Sequence, residues 1–190
     1  MNRIIETFFN ERPDISEKND LRIFINLSLV DSENVLAILP QIPHIKDIHV
    51  VLVFDEIEIN DNSDSILELT HFFNMYHKWG FELALLFKDK YFHLDSNFYK
   101  NFDFFEIDAR IAEGIKKNQR TRLNIHGLVE QILHYKKPII ATDVKDKQSI
   151  ELIIKSGITY VSADDICGTN DNLLPIEKKK MDKLVELHKN

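Results

Sequence analysis

A single cysteine, Cys167, stands in a chain of 190 residues, so no internal disulfide forms and a disulfide-stapled scaffold is excluded. Long apolar runs are missing as well: no stretch approaches the roughly 18 to 20 consecutive apolar residues of a membrane-spanning helix. The opening Met1-Asn-Arg-Ile-Ile-Glu-Thr-Phe-Phe9 is too short and too polar for a secretory leader. Together these absences lead to an expectation of a cytoplasmic protein with no membrane partner. Cations are the minority, 24 Lys and Arg against 31 Asp and Glu for a formal charge of -7. That balance argues against a nucleic-acid polymer as partner, because binding a phosphate backbone needs clustered positive charge. The local triplet Lys178-Lys-Lys180 reads as a solvated helix face. Catalytic signatures are equally scarce, with no Walker loop, no GxGxxG and no GxSxG. No His-x-x-x-His pair occurs, and His71 and His77, six apart, do not share a helix face. Cys167 lies beside Asp164, Asp165 and Gly168 without an evident base nearby in sequence, and reads as a buried or loop thiol.

What the chain does have is enough apolar content, 44%, to fill the core of one domain of this length. Strand and helix patterns alternate. Leu21 to Ser28 alternates and reads as a strand, preceded by helically spaced Ile4, Ile5, Phe8 and Phe9 that end at Pro13. His49 to Phe54 is almost wholly apolar, the pattern of a strand covered on both faces in a parallel sheet. Asp64 is placed to cap a helix whose stripe is Ile66, Leu69, Phe73 and Tyr76 and whose stop is Gly80. Strands follow at Phe81 to Phe87 and Phe102 to Ile107, then a helix whose apolar residues are Leu123, Leu128, Ile132 and Leu133. Lys137 to Thr142 and Ile158 to Ser162 read as further strands, with a helix from Gln148 to Ser156 stopped by Gly157 between them. Pro175 opens a closing helix over Ile176 to Leu187, and Asn60 to Asp64 reads as a short polar loop. Repeated βα units of this kind predict a parallel α/β domain.

Six short motifs then fall in one order. Ile25-Asn-Leu-Ser28, Phe54-Asp-Glu-Ile-Glu58, Leu85-Leu-Phe-Lys88 after Trp79-Gly80-Phe81, Glu106-Ile-Asp108, Ala141-Thr-Asp-Val-Lys145 and Tyr160-Val-Ser162 are each weak alone. Their sequence resembles the EAL family of cyclic-di-GMP phosphodiesterases across essentially the whole chain. The resemblance implies an incomplete or modified TIM-type (β/α) barrel of about six mainly parallel strands with surrounding helices. It also implies one domain over 1–190 that lacks the leading strands of the family, including the Glu-Ala-Leu motif itself. Asn26 and Asp55 match family positions that ligate a divalent ion, and both offer oxygen to a hard cation.

Other motif positions depart from the family. Leu86 and its neighbours stand where metal-binding carboxylates belong, Glu106 where the catalytic lysine belongs, and Thr142 and Lys145 where two glutamates belong. Two-metal cleavage of a phosphodiester needs carboxylates that hold ions about 4 Å apart. The resemblance so altered leads to the expectation of a degenerate domain that is not an enzyme. Its catalytic, cofactor-binding and metal residues would be none, Asn26 and Asp55 would be remnants, and no cofactor would be bound unless Mg or Mn retained a residual site. The function implied is a regulatory protein-interaction module in bacterial signal transduction. A sensor that binds cyclic-di-GMP or a related nucleotide without cutting it is the alternative, and residual phosphodiesterase action a further one. A protein partner or a second copy would dock at sheet edges left open near Leu21 to Ser28 and Ile158 to Ser162.

Overall fold

The computed structural model describes residues 21–29, 48–62, 66–89, 95–108, 110–111, 114, 118–158 and 160–163. The helices expected near Ile4 and after Pro175, the cap at Asp64, the triplet Lys178 to Lys180 and Cys167 lie outside the described residues. Among the described residues six strands form one sheet: β1 (Leu21–Asn26), β2 (Ile48–Asp55), β3 (Glu82–Phe87), β4 (Phe104–Ile107), β5 (Ile139–Val144) and β6 (Tyr160–Ala163). Every pairing is parallel and spatial order follows chain order. Neighbours in sequence that are parallel neighbours in space require a crossover each time. The result is a curled part of a TIM-type barrel, as the alternating pattern and the resemblance predict.

The helices are α1 (Glu56–Asp61), α2 (Ile66–Lys78), α3 (Gln119–His134) and α4 (Lys147–Lys155), with a 3-10 turn at Ser96–Asn101. β2 shows why its run is apolar on both faces. Leu52 and Phe54 point out to the helix layer, while Val51 and Val53 join Ala84, Leu86 and Phe104 in a separate cluster inside the curl. The outer layer is aromatic: Phe54 packs edge-on against Phe73 at 5.1 Å between ring centroids, and Phe73 meets Phe102 at 5.1 Å. Gly157 stops α4 at φ 88°, and a Cβ there would come within 3.2 Å of Val129 on α3, so glycine serves both the turn and the close packing.

Three local expectations are corrected. The motif Phe54 to Glu58 is not one extended strand end running on to a polar loop at Asn60: the strand stops at Asp55 and Glu56 to Asp61 form the short helix α1, because the Asp55 carboxylate accepts the Ile57 N–H at 2.9 Å and caps it. Leu123 and Leu133 are exposed, 62% and 50%, and the buried face of α3 is Thr121, Ile125, Leu128, Val129 and Ile132. Helical spacing admits several stripes over sixteen residues, and the one with three β-branched aliphatics, Ile125, Val129 and Ile132, is the one that packs. Finally, β4 begins at Phe104, since Phe102 is drawn into the aromatic layer at the end of the 3-10 turn.

Candidate functional site

The inner face of the curl is apolar only in its middle. At the N-terminal ends of the strands Arg22 binds Glu82 through two nitrogens, at 2.8 and 3.2 Å, and its guanidinium lies 5.5 Å from the centre of the Phe104 ring. At the opposite, C-terminal ends opens a cleft of about 690 Å³, lined among others by Asn26, Asp55, Lys88, Glu106, Asp143 and Ser162. Each of these residues lies within one position of the C-terminal end of its strand, so the sheet itself sets their spacing. That end of a (β/α) barrel is where active sites are built.

Asp55 is held on both oxygens. Oδ1 accepts the α1 cap bond, and Oδ2 lies 2.8 Å from the Lys88 ammonium, which follows β3. Glu58, one turn into α1, is similarly committed: its Oε1 accepts the Ser28 hydroxyl at 2.6 Å and the Leu29 N–H at 2.8 Å. Asp108 accepts Arg110 in a two-pronged pair at 2.9 and 3.0 Å, and this bonding holds its carboxyl below the usual carboxylate range. Glu106 is different. It is buried, 7% exposed, its side chain makes no hydrogen bond among the described residues, and burial pushes its carboxyl up to about 7, with the nearby Asp143 charge adding to the shift. Asp143 sits at φ 54°, a left-handed conformation that aspartate tolerates better than most residues, at a register irregularity between β5 and β6.

The structure thus brings the two expected ligand positions, Asn26 and Asp55, into one cleft. Lys88, Glu58, Asp143 and Ser162 line the same cleft. Sequence reasoning notes Lys88 and Ser162 only as departures from a motif. No signal in the sequence singles out Lys88, since its meeting with Asp55 follows from strand register, Leu86 two residues before it being the partner of Asp55. His71 is exposed, and His77 lies 3.1 Å from the Asn101 carbonyl, on the outer side of α2 and away from the cleft.

Among the described residues, no three His, Cys, Asp or Glu side chains converge to hold a metal ion. The oxygens present do not fit a pair of divalent ions. Asp55 and Glu58 are occupied by protein donors, a lysine ammonium lies against the first, and apolar Leu86 lines the same cleft.

No family model and no curated protein matches this chain by sequence. By structure it is similar to the YkuI protein of Bacillus subtilis, which has an EAL domain and was solved with its substrate cyclic-di-GMP and calcium. The identity is 18% and the TM-score 0.73, over 99% of this chain and 47% of that one. It is similar also to the EAL domain of Mycobacterium smegmatis DcpA, with 15% identity and TM-score 0.67, over 99% of this chain and 83% of that one. The PaMucR phosphodiesterase in complex with cyclic-di-GMP matches with 14% identity and TM-score 0.61, over 94% of this chain and 68% of that one. The chain therefore has the fold of EAL domains, and it spans about half the length of YkuI.

This finding corrects the expectation that the chain is not an enzyme. Proteins of this fold include a phosphodiesterase, and YkuI was solved with a substrate. Altered motif positions change the donors of a site without removing its cleft, and here a large cleft with carboxylates around it persists. Among the described residues no helix is long and apolar enough to cross a membrane.

Proposed function

We propose that residues 1–190 form a signalling domain whose cleft at the C-terminal strand ends binds cyclic-di-GMP or a closely related guanine nucleotide. One observation carries this reading: Asn26, Glu106, Asp143 and Ser162 line a cleft of about 690 Å³ with side chains that make no hydrogen bond among the described residues. Polar groups gathered in a concavity and left without protein partners are the ordinary preparation for a ligand. The solved neighbours that hold cyclic-di-GMP support the choice of ligand class. Calorimetry with cyclic-di-GMP tests it, with micromolar binding expected. Absence of heat at millimolar nucleotide would overturn it. Chromatography of the same mixtures reads cleavage, and a linear product that disappears in Asn26→Ala or Asp55→Ala would assign the chain phosphodiesterase activity.

A protein contact is the second reading, favoured by Phe24 and Tyr160. Both are exposed, 37% and 56%, on β1 and β6, the two terminal strands of the described sheet. An exposed aromatic on a terminal strand is a natural seat for another chain. Sedimentation that finds only monomer at all accessible concentrations would remove self-association through this surface. The lone cysteine, Cys167, supports a reducing cytoplasm as the setting of this domain.

A further inference from the structure

We propose that Lys88 is the resident cation of the cleft, standing in the place of a divalent ion and holding an anionic oxygen of the ligand directly. Binding would then need no divalent metal. The inference rests on the cleft being a nucleotide site, and it follows from how Lys88 is placed. An ammonium has three donors. One of them is spent on Asp55 at 2.8 Å, and among the described residues Lys88 makes no other hydrogen bond or ion pair, although its charge also acts on the Asp108 carboxylate. The side chain is 40% exposed and lines two concavities at once, the cleft of about 690 Å³ and an adjoining one of about 330 Å³ that also includes Arg110 and Asn118. Two donors therefore remain for whatever enters from either side.

The Asp55 carboxylate fixes the ammonium in position, much as a carboxylate would fix a metal ion. Because Asp55 is already paired with Lys88, a divalent ion binding at that carboxylate would have to displace the lysine and shed part of its own water shell. A ligand phosphate, by contrast, joins an existing pair and gains charge-assisted hydrogen bonds. Two of the other acids of the cleft are partnered, which limits the repulsion such an anion would meet, while Asp143 and the buried Glu106 also line it. Asp108 is paired with Arg110, and Glu58 is occupied by Ser28 and Leu29.

Two measurements decide the matter. The first uses Mn²⁺ alone, followed by water-proton relaxation. The parent protein is expected to take up no Mn²⁺ below millimolar concentration, whereas Lys88→Ala, with Asp55 released, is expected to bind it at least tenfold more tightly. Micromolar Mn²⁺ uptake by the parent would overturn the proposal. The second is calorimetry with cyclic-di-GMP in EDTA and again in Mg²⁺. Dissociation constants within twofold of each other are expected, with a loss of tenfold or more in Lys88→Ala and recovery in Lys88→Arg. Binding that vanishes in EDTA, or that survives Lys88→Ala unchanged, would overturn it. If cyclic-di-GMP binds under neither condition the nucleotide reading fails, and the Mn²⁺ measurement still judges the role of Lys88. Thermal melting of both variants establishes that each is folded before either comparison is made.

Discussion

The two faces of the one sheet are built to different ends. Outside, beneath the helices, large aromatics interlock: Phe54, Phe73, Tyr76, Phe87, Tyr99, Phe102 and Phe105 are all fully buried. Inside, the apolar contact is a small patch around Val51, Val53, Ala84 and Leu86, with charged residues at both ends of it. Burial of aromatic surface dominates core energetics, and edge-to-face ring pairs add to it. Stability therefore lives on the outer face, which leaves the inner face free to be polar. The difference can be broken by truncating one residue on each side. Phe54→Ala should cost about 3 to 5 kcal/mol, because its cavity lies between closely packed rings. Leu86→Ala should fall near 2 kcal/mol, the low end for a leucine, since its side chain borders an open cleft that relieves the void. Urea unfolding of both variants reads the comparison, and equal losses would show the inner patch to be as much a core as the outer layer.

Glu106 sharpens the same contrast, being a buried acid on the inner face. Its carboxyl stays neutral up to about 7 in the folded chain against an ordinary value of 4.5, chiefly because burial disfavours the charge. Between those two pH values the unfolded chain gives up the proton and the folded chain keeps it, so the group favours folding at low pH. Its contribution is fully present below pH 4.5 and is lost as pH rises through about 7. Glu106→Gln removes that dependence. Relative to the parent, the variant should match it in acid and gain on the order of 3 kcal/mol above neutrality, the equivalent of the shift at 1.36 kcal/mol per unit. Unfolding free energies of both proteins measured from pH 4.5 to 8 test this, and parallel curves would contradict it.

A smaller effect is expected at a helix entry beside the cleft. Asp146 caps α4 by accepting the Ser149 N–H at 3.0 Å and the Ser149 hydroxyl at 2.9 Å, and Ser149 is fully buried. Asp146→Ala should cost about 1 to 2 kcal/mol, the loss of a cap together with an unpaired buried hydroxyl. Asp146→Asn, which retains an acceptor, should restore most of it in the same urea titration.

How much of this was legible in the sequence differs by face as well. The outer architecture was largely legible: the unbroken run from His49 to Phe54 dictates a doubly covered strand, and Gly80 and Gly157 mark the helix ends where positive φ is required. Motif order extended that reading to the barrel-like curl and to Asn26 and Asp55 at its rim. The cleft's chemistry was not legible, because it depends on proximity across strands. Nothing local to Lys88 discloses that it meets Asp55 from the end of a neighbouring strand, and nothing local to Glu106 discloses its burial. The α1 helix escaped for a related reason: Asp55 both ends a strand and caps a helix, and a motif read as one extended segment hides the turn between them.

The smallest effect is expected on the solvent side of α3, where spacing assigns Leu123 to the core and the fold leaves it exposed. At 62% exposure it retains little apolar burial to lose, and its neighbours at Ile125 and Leu128 already fill the contact with the sheet. Leu123→Ser should therefore change the unfolding free energy by no more than about 0.5 kcal/mol, the range of surface substitutions without special contacts. Ile125→Ala, two residues away on the packed stripe and fully buried, should lose about 2 to 5 kcal/mol. The pair isolates facing from composition, since both residues are aliphatic, both are helical and they differ in direction alone. A loss at Leu123 comparable with that at Ile125 would mean that its exposed side is covered in solution. That outcome would move the search for a protein contact from the terminal strands to this helix.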